Sequence, residues 1–211
     1  MTLAIVFASV ASFAAGVLVY GWIGRLRKSD RRPALISSVG KGTASSPESS
    51  LRDAVTDLYN RKHLLRRLRD NIARTNREKK RMAVILWDID GFIDFNNSFG
   101  QAEGDRLLAK VAQTIHRSLR PYDEAFRSGP DEFCALLLPA DEQVAAEVTQ
   151  RVGQIVSRNL FEGNTEYAGR SFSISSGLVF YPGEYKLPEA LLHAAGQELY
   201  KSCLNRKVPT L

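Results

Sequence analysis

The chain has 211 residues, with 29 Lys and Arg against 23 Asp and Glu (formal net charge +6) and two cysteines. Two cysteines as distant as Cys134 and Cys203, without metal-ligand spacing, exclude a disulfide framework and a cysteine-built metal fold; both read as reduced thiols. The positive charge is concentrated: between Arg25 and Arg52, seven basic residues face only Asp30 and Glu48, which leaves +5 there and a nearly neutral remainder. A neutral domain without a basic face is a poor nucleic-acid binder, and no nucleic-acid partner is expected.

Thr2 to Gly24 contains no charged residue, and it is long enough for one membrane-spanning helix at ~20 residues per span. Arg25, Arg27, Lys28, Arg31 and Arg32 follow at once. A cleaved secretory signal carries its charge before the apolar core, so this order predicts a retained anchor over residues 1–24 with the rest of the chain inside. Ala8, Ser12 and Gly16 recur at a spacing that permits close helix pairing. Residues 25–52 are rich in Ser, Gly and Pro and read as a basic linker, suited to anionic headgroups. Residues 53–211 are long enough for one domain with its own core.

Within that domain, Leu64, Leu65, Leu68 and Ile72 share one face of a helix over Arg61–Thr75, with Asn60 as its N-cap. Met82–Trp87 is a continuous apolar run, read as a strand buried on both faces. A helix through Leu107–Leu119 comes next, followed by strands at Glu124–Arg127 and Phe133–Leu138. A helix over Val144–Leu160, a strand over Ser171–Phe180 and a helix over Pro188–Leu204 complete the chain. Strands alternating with helices around an antiparallel hairpin predict an α/β class, with helices packed on a mixed sheet. His63, His116 and His193 fall within helical patterns and read as structural or surface residues.

Two acidic stretches stand out. The hairpin turns at Ser128-Gly129-Pro130 and meets Asp131 and Glu132 immediately. Carboxylates projecting from rigid strands beside a small-residue corner can hold metal and phosphate, although acids beside a turn are also ordinary solvated residues. The second stretch, Asp88-Ile89-Asp90, ends the buried strand, where α/β folds place ligands. A calcium loop fails there because Phe92 stands at its fifth position and the glycine comes early. A haloacid-dehalogenase phosphatase also begins with a strand and Asp-x-Asp-Gly, but no later Lys or acidic pair supports it.

The ordered motifs resemble the GGDEF family, the diguanylate cyclases and their degenerate relatives. They are Asp53-Ala-Val-Thr-Asp-Leu-Tyr-Asn-Arg, with Asp57 where Gly is usual; Asp88-Ile-Asp-Gly-Phe92 followed by Asn96 and Gly104-Asp105; Gly129-Pro-Asp-Glu-Phe133; Ser175-Ser-Gly177; and Leu199-Tyr200. The resemblance implies an adenylyl-cyclase or polymerase-palm-like core in a βααββαβ-like order. It implies Mg²⁺ held by Asp88, Ile89 and Asp131, with Glu132 and Asp131 catalytic, Asn96 and Asp105 reading guanine, and Lys207 on phosphate. Two such domains, each holding GTP, would meet as a homodimer and condense the pair to cyclic di-GMP. Arg120-Pro-Tyr-Asp123 matches the family's RxxD motif, which implies a cyclic di-GMP site at Arg120 and Asp123.

Departures from the family pattern bear on activity. Pro130 replaces the second Gly, and a tight two-residue hairpin wants positive φ where proline is locked near −65° without an N–H, so a remodelled tip is expected. Ile93 and Cys203 stand where phosphate-facing lysines are usual, Lys207 replaces an Arg, and Gln101 a His. Each lost cation beside a triphosphate costs about 1.5–3 kcal/mol. The expectation is a bacterial inner-membrane, single-pass protein with a cytoplasmic, degenerate GGDEF domain that binds cyclic di-GMP and has little or no cyclase activity. The alternatives are an active diguanylate cyclase and a nucleotide-free protein-interaction module.

Overall fold

The computed structural model describes residues 51–159 and 172–207, which lie within a unit spanning Ser45–Leu211. The expected anchor, and all of the linker before residue 51, lie outside the described residues. Among the described residues no helix is long and apolar enough to cross a membrane.

In chain order the elements are β1 (Tyr59–Asn60), α1 (Arg61–Glu78), β2 (Met82–Ile89), α2 (Phe92–Phe99), α3 (Gln101–Ser118), β3 (Glu124–Arg127), β4 (Glu132–Leu137), α4 (Glu142–Asn159), β5 (Ile174–Tyr181) and α5 (Pro188–Lys207). From β2 to β5 this is the βααββαβ order. The sheet runs β1-β3-β4-β2-β5. Only β1 and β3 pair in parallel, and every other neighbour is antiparallel. The mixed sheet around a β3–β4 hairpin is the one the sequence predicts.

Strand β2 is central because both of its faces are apolar. Ala83, Ile85, Trp87 and Ile89 face a core completed by α2, α3 and α4, through residues such as Phe95, Leu107, Ile115 and Val152. Met82, Val84 and Leu86 face the other way, onto Leu64 and Leu68 of α1 and Leu191, Ala195 and Leu199 of α5. Each fully buried large side chain of this kind contributes about 1.5–3 kcal/mol. The period-2 alternation of a strand thus serves two helical layers at once.

Local signals set the helix ends. The Asn60 side chain accepts from the His63 N–H at 3.1 Å, capping α1 as expected. Between β2 and the hairpin the periodicity marks only one helix, yet the chain forms two. Gly100 adopts φ 84° between them, a conformation that breaks the α2 pattern and that glycine takes at no steric cost. Asp57 sits at φ 56°. That left-handed backbone explains why glycine is usual there, and Asp is among the few other residues that tolerate it.

The layers approach closely at Gly177 on β5. A Cβ there would lie 2.1 Å from the Ala195 carbonyl oxygen and 2.3 Å from the Leu199 nitrogen of α5. Backbone cannot yield as a side chain does, so Gly177→Ala is expected to destabilise the fold by about 1–3 kcal/mol. Urea denaturation followed by circular dichroism measures this, and an unchanged midpoint would contradict the packing described.

Candidate functional site

Strand β2 delivers Asp88 and Ile89 to one end of the sheet. Asp88 pairs in register with Glu132 on β4 and with Ser175 on β5. The Ile89 N–H donates to the Asp131 carbonyl at 3.3 Å. The four residues assigned to metal and catalysis are therefore gathered where β2 and β4 end. Asp90 is not part of that group. Its carboxylate accepts from the hydroxyls of Ser173 and Ser175, the latter at 2.7 Å, and its N–H donates to the Ser173 carbonyl at 3.1 Å. It clamps the end of β2 to β5, and sequence reasoning assigned no role to either serine in that clamp.

The hairpin tip differs from a two-residue turn. Four residues, 128–131, separate β3 from β4. Among the described residues, only Asp57, Lys79, Gly91 and Gly100 take positive φ, so Gly129 and Pro130 do not. The wider loop lets Pro130 keep its preferred backbone, and the amides of Ser128 and Gly129 both donate to the Glu132 carbonyl, at 2.9 and 3.1 Å. Burial pushes the Glu132 carboxyl above its ordinary value, the neighbouring Asp131 adds to that, and the Arg61 guanidinium opposes it.

These donors suit a hard cation. Carboxylates of Asp88, Asp131 and Glu132 and the Ile89 carbonyl make an all-oxygen set. Among the described residues no group of three or more His, Cys, Asp or Glu side chains is placed to hold a metal ion by itself. Mg²⁺ characteristically takes one or two carboxylates and completes its shell with water and phosphate oxygens, so the residues present fit it.

On α2, the Asn96 side-chain oxygen is buried without a hydrogen-bond partner. Gly104 on α3 makes room for it, since a Cβ there would fall 1.8 Å from that oxygen. Asp105 follows Gly104 directly on α3, and the Asn96 acceptor is still to be satisfied. Ile93, in the first turn of α2, is 68 % exposed. Cys203 packs instead against the core layer that holds Leu199. Lys207 is the last residue of α5, and its side chain lies outside the described residues.

The Arg120–Asp123 turn lies apart, at the start of β3, whose four residues place it about 10 Å or more from the hairpin tip. The Arg120 N–H donates to the Asp123 carboxylate at 3.1 Å, and the Asp123 N–H returns to the Arg120 carbonyl at 3.0 Å. Burial pushes the Asp123 carboxyl up, against the pull of Arg120. The exposed Arg120 guanidinium donates to the Tyr122 hydroxyl, a neutral partner, at 3.2 Å. Asp123 also lines a cavity of about 620 Å³ shared with Tyr59, Lys110 and His116. Side chains of the RxxD pair therefore do not bond to each other.

A profile of the family described as "Diguanylate cyclase, GGDEF domain" matches residues 50–207. The chain belongs to the GGDEF family. Among curated proteins, this GGDEF domain is 30 % identical over 170 residues to the bifunctional diguanylate cyclase/cyclic di-GMP phosphodiesterase MucR of Pseudomonas aeruginosa, covering 81 % of this chain and 24 % of that one. It is 32 % identical over 149 residues to the diguanylate cyclase DosC of Escherichia coli K12, covering 70 % and 32 %. The chain thus spans a quarter to a third of these relatives. Among solved structures, the GGDEF domain of DgcB from Caulobacter crescentus, in complex with c-di-GMP, superposes with TM-score 0.69 at 26 % identity, covering 82 % of this chain and 95 % of that one. The diguanylate cyclase SiaD, in complex with its activator SiaC, from Pseudomonas aeruginosa gives 0.68 at 29 %, covering 75 % and 60 %.

One contact joins the opening motif of the GGDEF domain to its hairpin. Asp53 accepts from Arg127 Nη1 at 2.8 Å. Burial raises the Asp53 carboxyl, but hydrogen bonds from Arg127 and Thr56 outweigh it and hold the group below its ordinary value. A depressed aspartate stabilises the fold above the unfolded-state value and loses that contribution as pH falls through the folded one. Melting temperatures of the intact chain and Asp53→Asn should therefore differ near neutral pH and converge as pH drops below about 4. A gap independent of pH would show that the charge on Asp53 contributes nothing.

Proposed function

We propose that this is a degenerate GGDEF protein of cyclic di-GMP signalling, which makes little or no cyclic di-GMP and binds it through Arg120 and Asp123. The observation that carries this reading is an imbalance within one site. Asp88 sits opposite Glu132, with Asp131 beside them, so the acidic half is assembled. Of the cationic half, Ile93 is an exposed apolar side chain and Cys203 is half-buried against a core layer. A triphosphate brought here would meet carboxylates with fewer cations to offset its charge.

In this reading Asp88, Asp131 and the Ile89 carbonyl would hold Mg²⁺, with Glu132 as a further ligand or as base. The ion, when bound, offsets phosphate charge and lowers the pKa of an attacking hydroxyl. Asn96 and Asp105 offer acceptors to the guanine N–H groups, and the unpartnered Asn96 oxygen supports that role. Lys207 is the remaining phosphate contact. The Arg120 fork would take a phosphate or a guanine Hoogsteen edge, and Asp123 the guanine N–H groups.

The full-length chain incubated with GTP and Mg²⁺ is expected to yield little or no cyclic di-GMP by chromatography. Turnover like that of an ordinary cyclase would instead support the active homodimer, with one GTP in each domain. Calorimetry with cyclic di-GMP should give micromolar affinity, about −8 kcal/mol. Arg120→Ala should weaken it about tenfold or more by removing a charged fork, and Glu132→Ala should leave it nearly unchanged. No detectable binding would remove the receptor reading.

We further propose that residues 1–24 anchor the chain in a bacterial inner membrane, residues 25–52 link, and residues 53–211 lie in the cytoplasm. The positive cluster after the apolar run supports that orientation. A reporter fused after Leu211 should work only if it functions in the cytoplasm. Recovery of a soluble cleaved product would contradict the anchor.

A further inference from the structure

Three successive carbonyls at the hairpin tip are each held by an arginine. Arg61 Nη1 donates to the Ser128 carbonyl at 3.3 Å, and Arg127 Nε to the Gly129 carbonyl at 3.2 Å. Arg127 Nη2 donates to the Pro130 carbonyl, and its Nη1 to Asp53. All three nitrogens of the Arg127 guanidinium are engaged, and its side chain is only 13 % exposed. Asp53 is itself fixed, because the same carboxylate oxygen accepts from the N–H groups of Val55 and Thr56, at 3.2 and 2.9 Å, and from the Thr56 hydroxyl at 2.8 Å.

We propose that Arg127 and Arg61 are the positioning residues of the signature loop, holding its carbonyls so that Asp131 and Glu132 keep a single orientation, with Asp53 fixing Arg127. This deepens the reading of the acids as a nucleotide–cation site. Pro130 has no N–H to tie the loop together. The amides of Ser128 and Gly129 are already given to the Glu132 carbonyl. Further ties of the tip run through its carbonyls, and a planar guanidinium can hold two of them and a carboxylate at once. A lysine ammonium, a point charge on a flexible stem, cannot reproduce that geometry. Asp131 follows Pro130 directly, so movement of the Pro130 carbonyl carries the Asp131 backbone with it. The opening motif supplies both Asp53 and Arg61, so the carboxylates are registered to the place where the chain enters the domain.

Hydrogen exchange on the full-length chain tests this. In Arg127→Lys, peptides spanning Ser128–Glu132 should exchange about tenfold faster, while those over α1 and the middle of β4 keep their rates. Asp53→Asn should loosen the same peptides, and the double variant no more than either single change. Mg²⁺–GTP affinity should fall about tenfold or more in each variant, with cyclic di-GMP affinity unchanged. Unchanged loop exchange in either single variant, or loosening spread evenly over β2 and β4, would overturn the proposal. Faster loop exchange with unaltered Mg²⁺–GTP affinity would overturn the positioning role. If the intact chain binds no Mg²⁺–GTP, the nucleotide reading fails, while the exchange pattern still decides whether the arginines position the loop.

Discussion

Everything in this fold depends on β2 being paired on both edges and covered on both faces. Met82 to Trp87 are all buried, and an apolar strand of that kind needs neighbours for its backbone groups as well as for its side chains. Antiparallel pairing with β4 and β5 supplies the backbone partners and fixes the register. A slip of one residue would turn Trp87 and Met82 to the wrong layers, so the register is strongly specified. The polar end of the strand follows from the same constraint, and Asp88 meets Glu132 because Leu86 meets Cys134.

That logic separates what could be read in the chain from what could not. The buried run, the hairpin strands and the helices at Arg61, Leu107 and Val144 announce themselves by period and by burial, and the last helix by its opening Pro188. Glu124–Arg127 matches the predicted strand, and Asn60 is the predicted cap. Helix α2 escaped because its eight residues bury only Phe92 and Phe95, too few apolar contacts for a period to show. The gathering of Asp88, Asp131 and Glu132 was legible through the resemblance alone, since residues more than forty positions apart reveal no adjacency by spacing.

What stayed hidden were the polar ties between segments distant in sequence. Ser173 and Ser175 hold Asp90, and Asp53 holds Arg127 across 74 positions. The proline at the tip could be read as a conflict with a tight turn, but not its resolution. That resolution is a longer loop whose carbonyls bond to guanidinium groups, and it requires knowing that α1 begins beside the hairpin. One signal was present: an arginine two residues before Gly129, with an unassigned acid in an otherwise recognisable motif.

Cys203 shows how a position near the end of α5 is committed to packing. The thiol lies against the same layer as Leu191, Ala195 and Leu199, so this position serves as packing. A lysine introduced there would have to lift its ammonium out of a layer fitted to a small apolar group, at a cost in desolvation and crowding. The close seat of α5 on Gly177 leaves the helix little room to shift and accommodate it. A cation placed at position 203 would therefore cost fold stability before it could offer any charge to a ligand.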